Sequence, residues 1–427
     1  MDIKKIYELF QESNLVSIDT RSIKVNDIFF AIKGPNFDGN KFALQAIKNG
    51  ASYVVSDNLD ISKKSDKIIY VENSIKALQK LANYHRRKLN TKIIAITGSN
   101  GKTTTKELVL NVLKSRFKTV ATKGNLNNHL GVPLSLLSIE KDAEIGIIEM
   151  GANHLNEIAN LCVIAEPDFG YITNFGNAHL EGFKSLEGVI KGKSELYDYL
   201  KSNKKFIFYN SDNKKQSNIL NGYANTFTYG LNDDSNCNII NCSNEDSVHV
   251  NYRSELIKSN IYGDYNFENI CIAIAIGEYF GVSFEQIKKG IESYLPENNR
   301  SQVTITERNT VVLDAYNANP TSMKLAIESF CKTSYTNKMI IVGDMFELGN
   351  DSIHYHQEII NYLEKINDSI IYIVGEYFCN TIHSDKIKSF SSKKELINNL
   401  SKTNVSNYSI LIKGSRGMQL EKIIEFI

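Results

Sequence analysis

A glycine-rich loop between a buried strand and a helix constrains the fold of this chain more than any other feature. The apolar run Lys92–Thr97 is typical of a buried strand, and it continues directly into Gly98-Ser-Asn-Gly-Lys-Thr-Thr104. A helical pattern over residues 105–114 follows. A loop of this kind offers backbone N–H groups at a helix N-terminus, a lysine and a hydroxyl. The sequence therefore predicts a nucleotide phosphate site within an α/β domain.

The loop departs from the generic G-x-x-x-x-G-K-[ST] pattern, because Ile96 stands at the first glycine position. The order of strand, loop and helix still favours phosphate binding over a chance turn. Lys102 is expected at the terminal phosphates of ATP, and Thr103 at Mg²⁺. The predicted nucleotide-binding residues of the loop are Gly98, Ser99, Asn100, Gly101, Lys102, Thr103 and Thr104. Kinases, ATPases, GTPases and ligases share such a loop, so it does not define the reaction.

The chain has 427 residues, more than one hydrophobic core usually serves, so several domains are expected. The pattern predicts a small N-terminal α/β domain (residues 1–88), a central parallel-sheet domain (89–296) and a C-terminal doubly wound, Rossmann-like domain (297–427). The predicted strands are 27–33, 52–56 and 67–71, then 92–97, 144–149, 169–173, 205–209 and 226–229, then 311–314, 339–343, 370–375 and 410–413. Helices are predicted at 42–48 and 266–279.

Composition excludes several classes of protein. Lys plus Arg (49) balances Asp plus Glu (48), so no overall charge attracts nucleic acid or an anionic membrane. The six cysteines form no C-x-x-C pair or zinc spacing, which favours reduced thiols. No run approaches the roughly 18 apolar residues of a membrane span, and the N-terminus lacks the apolar segment of a signal peptide. A cytoplasmic protein without nucleic-acid partners is expected.

Three further polar residues follow the loop at the ends of, or inside, predicted elements. Glu149 ends a buried strand, where it could hold Mg²⁺ beside Thr103. His179 follows the next strand, and Lys193 lies in a later helix. Taken singly, each fits an ordinary structural role: an acid at a strand end, a satisfied loop histidine and a solvated lysine. Taken together with the loop, in this order and spacing, they resemble the Mur ligase family.

The resemblance implies a metal-dependent active site. In that family the lysine matching Lys193 is carbamylated, and it shares a second Mg²⁺ with the histidine matching His179. ATP and two Mg²⁺ sites are therefore expected, with metal ligands Thr103, Glu149, His179 and Lys193 and catalytic residues Lys102, Glu149, His179 and Lys193. A lysine ammonium about 4 Å from a divalent ion is opposed by roughly 8 kcal/mol at an effective dielectric of about 20. Reaction of the neutral amine with CO₂ would replace this repulsion by attraction.

The N-terminal region resembles the UDP-sugar-binding domain of family members that act on a tripeptide substrate. The similar segments are 17–22, 27–34 and 38–39. They imply substrate contacts from Asp19, Thr20, Arg21, Asp38 and Gly39, with a surface salt bridge as the alternative for Arg21. The family commonly has histidine where Asn40 stands. Residues 122–133 match an Asn-rich substrate loop, which implies that Asn125 and Asn128 bind the sugar-peptide.

The C-terminal region resembles the family member that adds D-alanyl-D-alanine. Segments 314–323, 342–349 and 413–416 carry this resemblance. Nucleotide contacts are implied for Asn269, Arg300, Tyr316 and Asn317, and further substrate contacts for Asn319, His356, Lys413, Ser415 and Arg416. Helix packing is the alternative for Asn269, since Tyr265 replaces the histidine of the family's G-x-H-N-x-x-N motif. His356 is also a candidate to accept the proton of the attacking amine.

The activity implied is ligation through an acyl phosphate. ATP would activate the carboxylate of a UDP-N-acetylmuramoyl tripeptide, and D-alanyl-D-alanine would then be joined to it, giving a peptidoglycan precursor, ADP and phosphate. A monomer is expected, with a hinge near residues 296–300 that moves the C-terminal domain toward the loop. The alternatives are another stage of the same family, a folylpolyglutamate synthetase-like ligase, and a non-catalytic nucleotide-binding scaffold.

Overall fold

Three β-sheets organise the chain in the computed structural model, which describes residues 2–231 and 234–427. Each sheet is the centre of one part of the chain, called here the first, central and third lobe. Helices cover the sheets, so the predicted α/β class with three domains is confirmed. Within the described part of the chain, no helix has both the length and the apolar character needed to span a membrane.

The first lobe has four parallel strands in the order β1-β2-β3-β4. The strands are β1 (Val16–Ser17), β2 (Ile28–Phe30), β3 (Tyr53–Ser56) and β4 (Ile68–Tyr70). The helices are α1 (Ile3–Gln11), α2 (Ala43–Lys48), α3 (Leu59–Ser62) and α4 (Ser74–Lys88). The three predicted strands and the predicted helix of this lobe are present, while β1, with two residues, was not predicted.

The central lobe contains a nine-stranded sheet in the order β13-β12-β11-β10-β9-β8-β5-β7-β6. Its strands are β5 (Lys92–Thr97), β6 (Thr119–Ala121), β7 (Ile145–Glu149), β8 (Phe169–Ile172), β9 (Phe206–Asn210), β10 (Thr226–Gly230), β11 (Cys237–Asn241), β12 (His249–Tyr252) and β13 (Glu255–Lys258). Its helices are α5 (Lys102–Leu113), α6 (Gly131–Leu137), α7 (Glu157–Ala165), α8 (Leu180–Phe183), α9 (Leu186–Ser202), α10 (Lys214–Ile219), α11 (Phe267–Tyr279) and α12 (Phe284–Glu292).

The sequence predicted a parallel central sheet, but the sheet is parallel only in part. β12 runs antiparallel to both β11 and β13 at one edge. These strands alternate buried and exposed residues over only four or five positions, so their sequence has no continuous apolar run. Short half-exposed edge strands of this kind give little periodic signal.

The third lobe has six strands in the order β14-β15-β19-β16-β17-β18. They are β14 (Gln302–Ile305), β15 (Thr310–Asp314), β16 (Lys338–Gly343), β17 (Ser369–Val374), β18 (Ile387–Phe390) and β19 (Ser409–Lys413). The helices are α13 (Pro320–Lys332), α14 (Ser352–Leu363), α15 (Glu376–Cys379) and α16 (Lys393–Leu400). The last strand lies between β15 and β16, and β14 is an antiparallel edge strand that was not predicted.

The topology of the central sheet determines where ligands can collect. β5 lies between β7 and β8, parallel to both. The loop after β5 and the residues after β7 and β8 therefore meet at the carboxyl edge of the sheet, which is where open α/β sheets bind ligands. Glu149 ends β7, so it is brought to the same edge as the glycine-rich loop.

The first and central lobes share one hydrophobic core. α4 packs against both α6 and α7 of the central lobe. Its buried Leu78 and Leu81 belong to the same apolar cluster as Leu136 and Ile158. The predicted boundary near residue 88 therefore separates two sheets that share one apolar cluster, although the first lobe also has a smaller cluster of its own.

A buried arginine on α4 strengthens this junction. Arg86 donates from Nε to the carbonyl of Ala165 at 3.0 Å and from Nη1 to the carbonyl of Thr91 at 3.1 Å. Its Nη2 donates to the Asp168 carboxylate at 2.7 Å. Only 10% of the Arg86 side chain is exposed, so these bonds replace water around a buried charge.

Replacing Arg86 by methionine should lower the free energy of unfolding by about 2–4 kcal/mol, since buried acceptors lose their donor. The matched control is Arg87→Met on the same helix, whose guanidinium pairs with Glu166 at 2.6 Å but is 65% exposed. That change should cost less than about 1 kcal/mol. Urea unfolding of both variants checks this, and equal losses would contradict it.

Candidate active site

A cavity of about 1330 Å³ opens at the carboxyl edge of the central sheet. Gln79 of the first lobe contributes to its wall, as do residues of the central and third lobes. The predicted residues on this wall are Ser99, Asn100, Gly101, Lys102, Thr103, Thr104, Asn125, Asn128, Glu149, His179, Asn269, Arg300, Tyr316, Asn317, Asn319 and Lys413. Residues far apart in the sequence thus share one ligand-sized space.

The glycine-rich loop has a backbone conformation that requires glycine at two positions. Gly98 has φ +140°, and a Cβ there would overlap the hydroxyl of Thr173. Gly101 has φ +80°, and a Cβ there would lie 2.5 Å from Oδ1 of Asn269. The Asn174 side chain accepts a hydrogen bond from the N–H of Asn100 at 3.0 Å. Both glycine positions therefore exclude larger residues for steric reasons.

Lys102 begins α5 and folds back over the loop. Its Nζ donates to the carbonyls of Gly98 at 2.7 Å and Ser99 at 3.1 Å. Burial lowers the pKa of Lys102; the charge of Glu149 opposes this shift and that of Arg300 adds to it. The amine is thus placed inside the phosphate loop, where an anionic phosphate would offset its loss of hydration.

Glu149 is a buried carboxylate that neutral groups satisfy. It is 2% exposed, and its Oε2 accepts from the Thr103 hydroxyl at 2.9 Å. Its Oε1 accepts from the amide of Asn127 at 2.8 Å. Among the residues that the structure describes, no cation pairs with Glu149. A buried hydroxyl and carboxylate without a cationic partner fit an Mg²⁺ ion, which prefers oxygen ligands.

Asn127 was not singled out from the sequence, although its neighbours Asn125 and Asn128 were. Its backbone carbonyl also accepts from the N–H of Gly151 at 2.8 Å. Asn128 differs, because its Oδ1 accepts from the N–H of Gly131 at 2.9 Å and so fixes the start of α6. The only sequence signal for Asn127 was its place in the Asn-rich segment.

Lys193 is fully buried on α9, directly behind the cavity wall. Its Nζ donates to the carbonyl of Ala152, a wall residue, at 3.0 Å. The nitrogen lies 5.1 Å from the centre of the Phe183 ring. Burial lowers the pKa of Lys193 well below its usual value, and the charge of Lys102 adds to the shift. A lowered pKa favours the neutral form of the amine, which is the form that can react with CO₂.

His179 connects the central lobe to the third lobe. It precedes α8 in the left-handed region, with φ 54°. Its Nδ1 lies 2.5 Å from Oε2 of Glu347, and this contact lowers the pKa of Glu347. No group of three or more His, Cys, Asp and Glu residues that could hold a metal is found in the described chain. The predicted metal ligands are of a different kind from such a group, since they include a hydroxyl and a carbamylated lysine.

The third lobe approaches the loop directly. Asn319 Nδ2 donates to Oδ1 of Asn100 at 2.7 Å. The guanidinium of Arg300 lies 3.6 Å from the centre of the Tyr316 ring, and that of Arg416 lies 4.9 Å from it. Two cations thus flank one aromatic ring beside the cavity, which concentrates positive charge close to the phosphate loop.

Two predicted residues of the cavity edge have structural partners of their own. The Asn269 amide oxygen accepts from the hydroxyl of Thr105 at 2.9 Å, and its nitrogen donates to Oδ1 of Asn266 at 2.8 Å. Lys413 Nζ lies 2.5 Å from Oδ2 of Asp314. Asn269 therefore links α11 to α5 and faces Gly101 at the same time.

The predicted residues of the first lobe do not line this cavity. The Arg21 guanidinium is 2.7 Å from the Asp19 carboxylate with 89% of the side chain exposed, so the structure forms the surface salt bridge left open above. This contact lowers the pKa of Asp19 to about 2. The backbone carbonyl of Thr20 accepts a hydrogen bond from the side-chain amide of Asn49 at 2.9 Å. Asp38 caps a short 3₁₀ helix on the same lobe, and Gly39 begins that helix (Gly39–Phe42).

His356 and Ser415 lie in the interior of the third lobe instead of on the cavity wall. The His356 Nε2 accepts from the N–H of Met345 at 2.9 Å, and its Nδ1 donates to the carbonyl of Ser352 at 2.6 Å. Burial lowers the pKa of His356. Ser415 Oγ accepts from the N–H of Phe346 at 2.9 Å. With both ring nitrogens bonded to backbone, this position argues against His356 as the proton acceptor.

Comparisons with known proteins agree with this geometry. Family models match residues 12–86 (Mur ligase family, catalytic domain), 96–277 (Mur ligase middle domain) and 299–416 (Mur ligase, glutamate ligase domain). The UDP-N-acetylmuramoyl-tripeptide–D-alanyl-D-alanine ligase of Bacillus subtilis is 33% identical, covering 96% of this chain and 92% of that protein. The ligase of the same name from Rickettsia prowazekii is 35% identical, covering 97% and 95%. This chain belongs to the Mur ligase family.

A solved structure supports the same assignment for the fold. The crystal structure of MurF ligase from Thermotoga maritima in complex with ADP superposes with a TM-score of 0.84. It is 27% identical and the match covers 98% of this chain and 97% of that one. The similarity to this family member therefore extends over all three lobes.

Gly98→Ala should weaken ATP binding by about tenfold or more, because the strained backbone and the overlap with Thr173 cost about 1–3 kcal/mol. The matched control is Gly222→Ala, which also has positive φ (+76°) but no atom within 4 Å of the added Cβ. Calorimetric titration with ATP distinguishes the two. Unchanged affinity in Gly98→Ala would contradict the steric role of this loop.

Proposed function

We propose that this chain joins D-alanyl-D-alanine to a UDP-N-acetylmuramoyl tripeptide with hydrolysis of ATP to ADP and phosphate. The observation that supports this proposal most directly is the buried Thr103–Glu149 pair beside the phosphate loop, in a cavity that all three lobes line. Relatives of 33% and 35% identity that bear this name cover nearly the whole chain, which favours this stage of the family over the others.

The three lobes would divide the substrates among them. Residues 1–88 would hold the UDP-sugar, 89–296 would hold ATP, and 297–427 would hold the incoming dipeptide and part of the nucleotide. The first lobe shares an extensive apolar cluster with the central lobe, whereas the third lobe meets the loop through polar contacts such as Asn319 to Asn100 and packs apolar side chains around Tyr262. Closure about residues 296–300 would therefore move the third lobe alone. Action as a cytoplasmic monomer is part of the same proposal.

The nucleotide would bind with its phosphates on the loop. Backbone N–H groups at the start of α5 and the Lys102 amine would hold the β- and γ-phosphates. Arg300 and Tyr316 face the cavity from the third lobe and would contact the nucleotide beyond the phosphates, together with Asn269 and Asn317. The carboxylate to be activated would then lie between the loop and the third lobe.

The metal ligands would be Thr103 with Glu149 for one Mg²⁺, and His179 with carbamylated Lys193 for the other. When bound, these ions neutralise charge between the attacking carboxylate and the γ-phosphoryl group. Asn127 holds one oxygen of Glu149 and leaves the carboxylate oriented toward Thr103. Burial lowers the pKa of Lys193 and so favours the unprotonated amine, which is the form that combines with CO₂.

The reaction would consist of two chemical steps, a phosphoryl transfer followed by an acyl transfer. A carboxylate oxygen of the tripeptide attacks the γ-phosphorus, the bond to ADP breaks, and an acyl phosphate forms. The amine of D-alanyl-D-alanine then attacks the acyl carbon, phosphate leaves and the amine loses a proton. No protein nucleophile is required, so the protein contributes position and charge stabilisation.

Phosphate release should require ATP, UDP-N-acetylmuramoyl tripeptide and D-alanyl-D-alanine together. Omission of either the tripeptide or D-alanyl-D-alanine should reduce the rate to background, since the reaction needs both the carboxylate and the amine. A coupled phosphate assay with a panel of tripeptides ending in diaminopimelate or lysine checks this and gives the specificity. ATP turnover with folate and glutamate, or no turnover with any combination, would reject the proposal in favour of the alternatives above.

Lys193→Ala should lower kcat by at least about 100-fold, because a metal ligand is lost. The matched control is Lys191→Ala on the same helix, whose exposed side chain should leave the rate unchanged. Wild-type activity should also fall in bicarbonate-depleted buffer and return when bicarbonate is added. A fully active Lys193→Ala variant would rule out the carbamate.

A further inference from the structure

We propose that Glu347 is a positioning residue that orients His179 as a metal ligand when the third lobe closes on the central lobe. The proposal rests on the function proposed above. Glu347 comes from the third lobe, in the segment after β16, whereas His179 comes from the central lobe after β8. The Oε2 of Glu347 lies 2.5 Å from Nδ1 of His179.

The backbones of the two segments also meet at this contact. The N–H of Glu181 donates to the carbonyl of Glu347 at 3.3 Å. Gly349 lies beside Glu181, and an added Cβ would be in van der Waals contact with the Cα of Glu181, 3.4 Å away. The side-chain contact is therefore one part of a fitted joint between two lobes, unlike an isolated surface ion pair.

Both residues of the pair have unusual backbone conformations. His179 has φ 54° and Glu347 has φ 64°, a region that residues other than glycine rarely adopt. Such strain persists only where the surrounding structure enforces it, and it concentrates at functional sites. Both residues also line the cavity.

The chemistry of histidine ligands explains what the contact does. A metal-binding histidine usually donates its other ring N–H to a carboxylate, which fixes the tautomer and the ring orientation. A carboxylate oxygen 2.5 Å from Nδ1 favours the tautomer that carries its proton on Nδ1, so that the lone pair lies on Nε2, the nitrogen left to bind a metal. Because the carboxylate belongs to the third lobe, the histidine is oriented only when that lobe is in place. Closure of the protein is thus coupled to assembly of the second metal site.

The test uses Mn²⁺ in place of Mg²⁺, with the full chain and a non-hydrolysable ATP analogue. Wild type should bind two Mn²⁺ ions, and pulsed EPR should show coupling to a directly bound ¹⁴N that disappears in His179→Ala. Glu347→Ala should lower the affinity for the second ion by about 10- to 100-fold and weaken the ¹⁴N coupling. Glu347→Gln should be intermediate, since its amide oxygen still accepts from Nδ1–H but carries no charge.

The matched control is Glu358→Ala, which removes the carboxylate of the exposed His354–Glu358 pair, 3.3 Å apart on α14. It should bind Mn²⁺ as the wild type does. Wild-type affinity and ¹⁴N coupling in both Glu347 variants would overturn the inference, as would persistence of the coupling in His179→Ala. Since Mn²⁺ binding is measured without turnover, failure of the proposed ligase activity would show in the phosphate assay alone.

Discussion

The buried carboxylate of Glu149 is the interaction on which the rest of the site depends. It is held by a hydroxyl and an amide, and no cation pairs with it among the described residues. A carboxylate removed from water in this way is costly unless a positive charge completes its surroundings. The end of β7 beside the loop thus favours an incoming cation, and the rest of the cavity surrounds that point.

The glycine-rich loop and Lys193 are arranged about the same point by different physical means. The loop is fixed sterically, because Gly98 and Gly101 leave no room for a Cβ beside Thr173 and Asn269. Lys193 is fixed by burial, which lowers the pKa of its amine, and by a hydrogen bond from Nζ to the carbonyl of Ala152. The loop thus depends on steric constraint, whereas Lys193 depends on burial behind the cavity wall.

The lobes are joined by unequal contacts, and this matters for how the site can work. The first and central lobes share apolar packing that includes Leu78 and Leu136, reinforced by Arg86. The third lobe meets the loop and His179 through hydrogen bonds and one ion pair, and Tyr262 of the central lobe packs into its apolar core. Polar contacts exchange readily with water, so this junction should open more easily than the extensive apolar packing of the first and central lobes. The geometry of the second metal site is consequently tied to the lobe with the smaller apolar junction.

Strands with continuous apolar runs could be predicted from the sequence, whereas short strands without such runs could not. β5 has its predicted bounds, and Glu149 was found because it ends such a run. Strands β11, β12 and β13 at one edge of the central sheet were missed, since their short alternating patterns resemble loops. Asn127 was missed for a different reason: nothing in an Asn-rich segment tells which amide turns toward a carboxylate.

The sequence by itself determined the phosphate loop, the order of its chemical groups and the α/β class, because these follow from neighbouring residues along the chain. Only the tertiary structure decided which groups face one another. It buried His356 against backbone and placed Glu347 beside His179. Burial and pairing depend on segments distant in sequence, whose packing is set by the whole fold, so no local pattern could have distinguished these two residues.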